Sequence, residues 1–334
     1  MFDRILVLCR EDLLTWGMIA FGLILLSGCG TGRDIRRMRH SPSAPEISVQ
    51  DYRIFDRLGR PAAAKDIVDA AAQVDAVFIG ETHGDPAAHH LERKILSALY
   101  ERYGRPSNSG VSKRTLILSM EMFERDVQVI LDEYLQDLIT EGHFQAATRP
   151  WSRYLRDYRP IVEFAKDHSI PVIAANAPRR YVNRVSRLGP DSLTALSDAA
   201  KSWLPPLPYP PASPEYRRKF LEFWGESSHP ASGDMPPTFE NLLSAQSLWD
   251  AAMGHAVAEA LDETPGALVV NINGKFHSAE NLGAVEKLHF YRPGTEILTV
   301  TIIPSKTFPE FNDRYLGYGD FVILTDPDAN DPPG

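Results

Sequence analysis

An α/β fold, with a mostly parallel, doubly wound sheet flanked by helices and a small helical, proline-rich subdomain, is what this sequence predicts. Three observations carry that expectation. Short apolar runs recur along the chain and end in turn residues. Amphipathic helical stretches separate most of them. One region, 190–244, breaks the rhythm with clustered prolines. Strands alternating with helices of this length favour parallel pairing, because parallel neighbours need a long crossover and a helix supplies it.

The first segment is read as a leader. Residues 13–26 are apolar apart from Thr15 and the glycines Gly17 and Gly22. The run is short for a bilayer span and suits a signal-peptide core. It closes in Leu26-Ser27-Gly28-Cys29, which resembles the lipobox of bacterial lipoproteins, where cleavage leaves the cysteine as a lipidated N-terminus. The residues ahead of the run, with Asp3, Arg4, Arg10, Glu11 and Asp12, depart from the usual positive leader. The expected organisation is a leader over 1–28, a tether over 29–50, and one α/β domain over 51–330 with a helical insertion at about 190–244. The tether carries Arg33, Arg36, Arg37 and Arg39 and has no apolar periodicity. Cys9 and Cys29 are the only cysteines, so residues 30–334 contain no thiolate nucleophile, no cysteine zinc site and no disulfide.

Strands are expected at Ala76–Glu81, 115–120, Val172–Asn176, 267–272, 297–303 and Phe321–Thr325. Asp85-Pro86 opens the first helix, as an N-cap with proline at the first helical position. Leu91, Ile95, Leu96 and Leu99 mark its buried face, and Gly104 ends it. A second helix follows Val127, a third opens at Pro160, and a fourth covers 245–261. The insertion holds a helical piece at 215–224 between proline clusters. Its aromatics, Trp203, Tyr209, Tyr216, Phe220, Phe223 and Trp224, read first as the core of the subdomain and second as a lining for a flat apolar ligand.

With 334 residues the chain can bury a sizeable core, and its net charge of −9 argues against a nucleic-acid surface. The chemistry concentrates in two tetrads, Gly80-Glu81-Thr82-His83 and Gly274-Lys275-Phe276-His277, each just after an apolar run. In an open parallel sheet, ligands bind beyond the carboxyl ends of the strands. Glu81 and His83 at one strand end, Glu121 at the next, Asn176 and Arg179 at a third, and His277 at a fourth are therefore expected on one rim. Carboxylates and imidazoles suit a cation or general acid–base work, and Arg179 can hold a carboxylate or propionate. Glu81 can also simply cap a helix or pair with an arginine. His89 reads either as a packed core histidine or as a second rim imidazole. Tyr158 reads as packing or as a haem-ligand type. No Gly-x-Ser-x-Gly elbow or phosphate-binding glycine loop is present.

These pieces together resemble a known family. They are Gly80-Glu81-Thr82-His83, His89, Glu121-Met122-Phe123, residues 128–135, Trp151, Tyr158-Arg159-Pro160, residues 172–179, Ala245-Gln246-Ser247-Leu248-Trp249-Asp250 and the closing Gly274-Lys275-Phe276-His277. Their order and spacing resemble the ChaN-like proteins, within the superfamily of Tiki proteases and erythromycin esterases. The resemblance implies an α/β sheet with a small helical subdomain, in a bacterial lipoprotein of haem or iron uptake. Lys275-Phe276 and the proline-rich stretch depart from the tighter pattern, so no haem contact is carried over onto that stretch.

The favoured expectation is a haem- or iron-binding lipoprotein of the bacterial envelope, outer-membrane anchored and facing the periplasm. His83, His89, Tyr158, Asn176, Arg179 and His277 are its candidate cofactor contacts. The alternative is a metal-dependent hydrolase, with Glu81, His83, Glu121 and His277 as metal ligands or catalytic groups. Expected partners are haem or another small ligand, a membrane through lipid at Cys29, and a second copy of the chain. A structural role for the rim, as an internal ion-pair network, ranks last.

Overall fold

The computed structural model describes residues 47–106, 114–226 and 238–330. Cys29, the leader and nearly all of the tether lie outside the described residues. In chain order the elements are β1 (Tyr52–Asp56), β2 (Pro61–Ala62), α1 (Ala64–Ala70), β3 (Ala76–Glu81), α2 (Pro86–Leu99), β4 (Leu116–Glu124), α3 (Gln128–Leu135), α4 (Glu141–Thr148), α5 (Tyr154–Asp157), α6 (Arg159–Asp167), β5 (Val172–Asn176), α7 (Arg179–Leu188), α8 (Asp198–Lys201), α9 (Pro214–Glu226), α10 (Phe239–Glu263), β6 (Leu268–Gly274), α11 (Ala284–Tyr291), β7 (Ile297–Pro304) and β8 (Phe321–Thr325).

The strands form one sheet in the order β2-β1-β8-β7-β3-β6-β4-β5. Every pair from β8 to β5 is parallel, and β1 and β2 add an antiparallel edge. The six expected strands are all present. β1 and β2 are not among the expected strands, because a five-residue strand flanked by a two-residue edge strand shows too little alternation to read. β4 also runs past Met120 to Glu124.

β3 and β6 are buried along their whole length because helices cover both faces of the sheet. Alternation then sorts their side chains. Val77 and Ile79 of β3 pack with Leu91, Leu96 and Leu99 of α2 on one face. Ala76 and Phe78 pack with Met253 and Val257 of α10 and Leu288 of α11 on the other. β3 therefore continues into a helix on the first face, and its neighbour β6 into a helix on the second. Adjacent parallel strands whose exits diverge in this way leave a crevice at their carboxyl ends.

The proline-rich insertion folds into α8 and α9 and the start of α10, which begins at Phe239 rather than 245. Tyr216 and Phe220 of α9 form a small apolar cluster with Leu243, against Phe276 and Leu282. This holds α9 beside the crevice. Among the described residues no helix is long and apolar enough to cross a membrane.

α10 and α11 approach closely at Gly254. A Cβ there would lie 2.7 Å from the Leu288 nitrogen and 2.8 Å from the Ala284 oxygen. Those neighbours are backbone and cannot turn aside. Gly254→Ala is expected to destabilise the protein by about 1–3 kcal/mol through overpacking, outweighing the gain of up to about 1 kcal/mol in helix propensity. Urea unfolding of the purified variant against wild type measures the sign.

Candidate functional site

The parallel register of β3 and β6 pairs Gly80 with Asn273 and Glu81 with Gly274. The two Gly-x-x-His tetrads thus begin side by side. From β3, the Glu81 side chain turns inward and is almost fully buried. Its Oε1 receives the Tyr158 hydroxyl at 2.8 Å and faces the His83 Nδ1 at 2.6 Å. An ionised carboxylate only accepts, so this contact puts the proton of neutral His83 on Nδ1 and leaves Nε2 as the free nitrogen. The Trp151 ring meets His83 edge-on at 4.8 Å, and the His83 side chain is about half exposed (48%).

Gly274 is required by close approach. A Cβ there would sit 2.7 Å from the His83 Nε2 and 2.8 Å from Cε1. Its backbone nitrogen donates to the Glu121 Oε2 at 2.6 Å. Glu121 lies where the β4–β5 register shifts, between Met120 and Glu124. Such an irregularity re-aims a side chain, here toward β6. Its Oε1 is 3.7 Å from the His277 Nε2. His277 sits in a short turn after β6, with Nδ1 2.7 Å from the Asp250 Oδ1 of α10 and the Gln246 amide 3.4 Å away.

The electrostatics follow from burial against charge. Burial opposes a charge on His83 and on His277. The Glu81 carboxylate outweighs it for His83, and Glu121 with Asp250 outweighs it for His277, so both pKa values are raised. Burial, aided by Glu92, raises Glu81. Burial lowers Lys219 and Lys275.

A cavity of about 680 Å³ opens over this rim, within the range of small-molecule sites. Glu81, His83, Gly274 and His277 border it, and Phe220, Phe223 and Phe276 make an apolar wall. Lys219 and Lys275 add cationic groups, and the Lys275 ammonium donates to the Thr82 hydroxyl at 2.7 Å.

Of the residues expected from sequence, Glu81, His83, Glu121 and His277 come together. Tyr158, Asn176, Arg179 and His89 do not line this cavity. Tyr158 is buried, its hydroxyl is committed to Glu81, and burial with the Glu81 charge drives its pKa far up, so it is not a ready tyrosinate. Asn176 is buried on the sheet's outer strand, next to β4 rather than β6. Arg179 is exposed at the start of α7. Nor do the four rim residues form the compact metal-type group; their side chains meet as the pairs Glu81–His83 and Glu121–His277. Among the described residues that group is Glu81, His89 and Glu92, with ligand atoms within 4.8 Å of one another. Of the insertion aromatics, Phe220 and Phe223 reach the cavity, Tyr209 and Tyr216 are core, and the Trp224 side chain lies outside the described residues. Sequence reasoning missed Asp250 and Glu92 as functional groups. The available signal for the first was Gln246 and Asp250, four apart on one helix face.

A family model described as "Haem-binding uptake, Tiki superfamily, ChaN" matches residues 67–288. The chain belongs to this ChaN family. Its fold is similar to that of a solved structure titled as cofacial heme binding to ChaN of Campylobacter jejuni, at a TM-score of 0.61 and 16% identity, covering 84% of this chain and 100% of that one. The type III effector HopBA1 is a weaker likeness, at TM-score 0.44 and 16% identity over 84% of this chain and 99% of that one. An erythromycin esterase mutant, EreC in its open conformation, stands at 0.42 and 12% over 83% of each chain. No curated protein matches the sequence. At these identities the ChaN structure shows a shared fold, an eight-stranded, mostly parallel sheet with flanking helices.

His277 also makes a stability prediction. Its raised pKa means that the folded chain keeps a proton the unfolded chain releases above its ordinary value of 6.5. The resulting stabilisation is full below pH 6.5 and is lost as pH rises through the folded value. Urea unfolding over about pH 6–9 is expected to show wild-type stability falling with pH and a flatter profile for His277→Gln.

Proposed function

We propose that this chain binds haem in the cavity between α9 and the β3–β6 rim, as an envelope lipoprotein serving haem or iron uptake. Membership of a haem-binding uptake family supports the ligand class. The envelope location rests on the apolar run 13–26 and the Leu26-Ser27-Gly28-Cys29 sequence.

The residues present fit such a group. Phe220, Phe223 and Phe276 offer an apolar wall to a planar macrocycle, and Lys219 and Lys275 offer cations to its carboxylates. The observation that carries the reading is His83. Its Nδ1 is tied to a buried carboxylate, its Nε2 makes no hydrogen bond among the described residues, and its ring borders the cavity. A ligating imidazole characteristically gives its other nitrogen to a carboxylate in this way. Haem, when bound, supplies the iron chemistry. The chain's own part is to orient His83 through Glu81 and Tyr158, to shield one side of the cavity with aromatics, and to balance anionic edges with lysines.

Titration of the detergent-solubilised full chain with haemin tests this. A saturable Soret shift is expected for wild type. His83→Ala should weaken binding at least about tenfold, the loss of one good ligand contact. Tyr158→Phe should keep the Soret maximum in place, since the phenol serves Glu81 rather than iron. A His83→Ala titration identical to wild type overturns the assignment.

One observation favours a second reading, hydrolysis. His277 is held by Asp250 and faces the same cavity as the Glu81–His83 pair, so two carboxylate-oriented imidazoles share one space. That arrangement suits one general base and one general acid. If the chain hydrolyses activated esters, His277→Ala is expected to lower kcat by about 10²–10⁴ with the fold intact. Turnover that survives in His277→Ala removes this reading.

A further inference from the structure

Beneath the rim, around the other oxygen of Glu81, lie His89, Glu92 and Asp157, side chains that the haem reading does not use. The Nδ1 of His89 is 3.2 Å from the Glu81 Oε2 and 3.2 Å from the Glu92 Oε2. Both carboxylates are almost fully inaccessible, and His89 is buried against the Tyr158 ring at 4.7 Å. Asp157 is buried beside them, its Oδ2 3.7 Å from the His89 Nε2.

Hydrogen bonding within the protein satisfies this group only in part, through the contact of the His89 Nδ1 with the Glu92 Oε2. Glu81 Oε2, Glu92 Oε1 and His89 Nε2 are buried and have no hydrogen-bond partner among the described residues. Two carboxylates in one dry pocket repel unless a cation or a proton joins them. The one imidazole present, His89, turns a single nitrogen, Nδ1, toward both carboxylates and leaves its Nε2 without a hydrogen-bond partner among the described residues.

The distances point the same way. Contacts of 3.2 Å are long for a charge-assisted N–H to carboxylate bond, which runs at about 2.7–2.9 Å. They match the ligand–ligand edge of a tetrahedral first-row cation. Metal–ligand bonds of about 2.0–2.1 Å give tetrahedral edges of about 3.3 Å. The outer partners are also in position. Asp157 faces the other nitrogen of His89, and Tyr158 and His83 hold the other oxygen of Glu81. An entry path exists as well, a cleft of about 130 Å³ lined by His89, His90, Arg156 and Asp157.

We propose that Glu81, His89 and Glu92 form a binding site for one divalent first-row transition-metal cation, buried beneath the rim and joined to His83 through the Glu81 carboxylate. One imidazole with two carboxylates suits zinc or manganese rather than calcium or a thiolate-seeking metal. Three protein ligands leave a fourth position to water. The site is distinct from a rim site on His83, Glu121 and His277, and it stands independently of whether haem binds.

The test uses the full chain in detergent, stripped with chelator and dialysed against zinc chloride or manganese chloride alone. Elemental analysis is expected to return about one metal per chain for wild type. Glu92→Gln and His89→Ala should each fall below about a tenth of that, while His277→Ala keeps the full amount. Thermal unfolding guards against misfolding. Zinc should raise the wild-type Tm by several degrees and leave that of Glu92→Gln unmoved, and metal-free Glu92→Gln should melt no lower than metal-free wild type, since an uncharged amide of the same shape takes the place of the buried carboxyl. Wild type without stoichiometric metal overturns the proposal. So does full loading of Glu92→Gln, and so does loss of metal in His277→Ala with retention in Glu92→Gln, which assigns the ion to the rim.

Discussion

Backbone hydrogen bonding between β3 and β6 sets Glu81 opposite Gly274, and the site's geometry depends on that register. A slip by one residue would turn every side chain of β6 to the other face of the sheet. Because the strands run parallel, both tetrads leave at the same edge. Because α2 and α11 cover opposite faces, the two exits part and leave room between them. The missing side chain at Gly274 then lets the His83 ring lie on the backbone of the second tetrad. Glycine here provides proximity rather than flexibility.

Once the strands are placed, charge governs the rest. Glu81, Glu92, Glu121, Asp157 and Asp250 are all buried close to the rim, facing the imidazoles of His83, His89 and His277. Water no longer solvates these groups, so each must be matched by a proton, a hydrogen bond or a cation. Two of the imidazoles respond by holding protons more tightly, the Glu121 carboxylate takes the Gly274 amide, and Tyr158 donates to Glu81. A fold kept only for its own stability would do as well with apolar residues of similar volume at these positions. The acidic surplus is therefore read as the imprint of a ligand, which joins the haem reading and the cation site without making either depend on the other.

Much of this was legible in the sequence for a plain reason. β3 and β6 are buried on both faces, so their composition is largely apolar, Asn271 and Asn273 apart, and a glycine stands at or next to the end of each strand. The Asp85-Pro86 pair marked the start of α2 because an N-cap oxygen and a first-turn proline have local signatures, and the Asp85 side chain does accept the Ala87 amide at 3.0 Å. The β1–β2 edge escaped because a short strand beside solvent resembles a loop. The start of α10 escaped because Thr238, its cap, follows a proline cluster that reads as irregular chain.

What the sequence determined by itself was therefore the mostly parallel sheet with its flanking helices, and the delivery of Glu81, His83, Glu121 and His277 to one rim. These follow from periodicity, caps and the rule that parallel strands share a carboxyl edge. Which groups touch was decided only by the tertiary structure. Asn176 and Arg179 have the right chemistry at the end of a strand, but β5 is the outer strand, so they stand away from the crevice. Glu92 and Asp250 look like ordinary helix positions, yet packing of α2 and α10 against the sheet turns Glu92 inward beside Glu81 and Asp250 onto His277. Helical periodicity says which residues share a face, but only the packing of that face against its neighbours says what it meets.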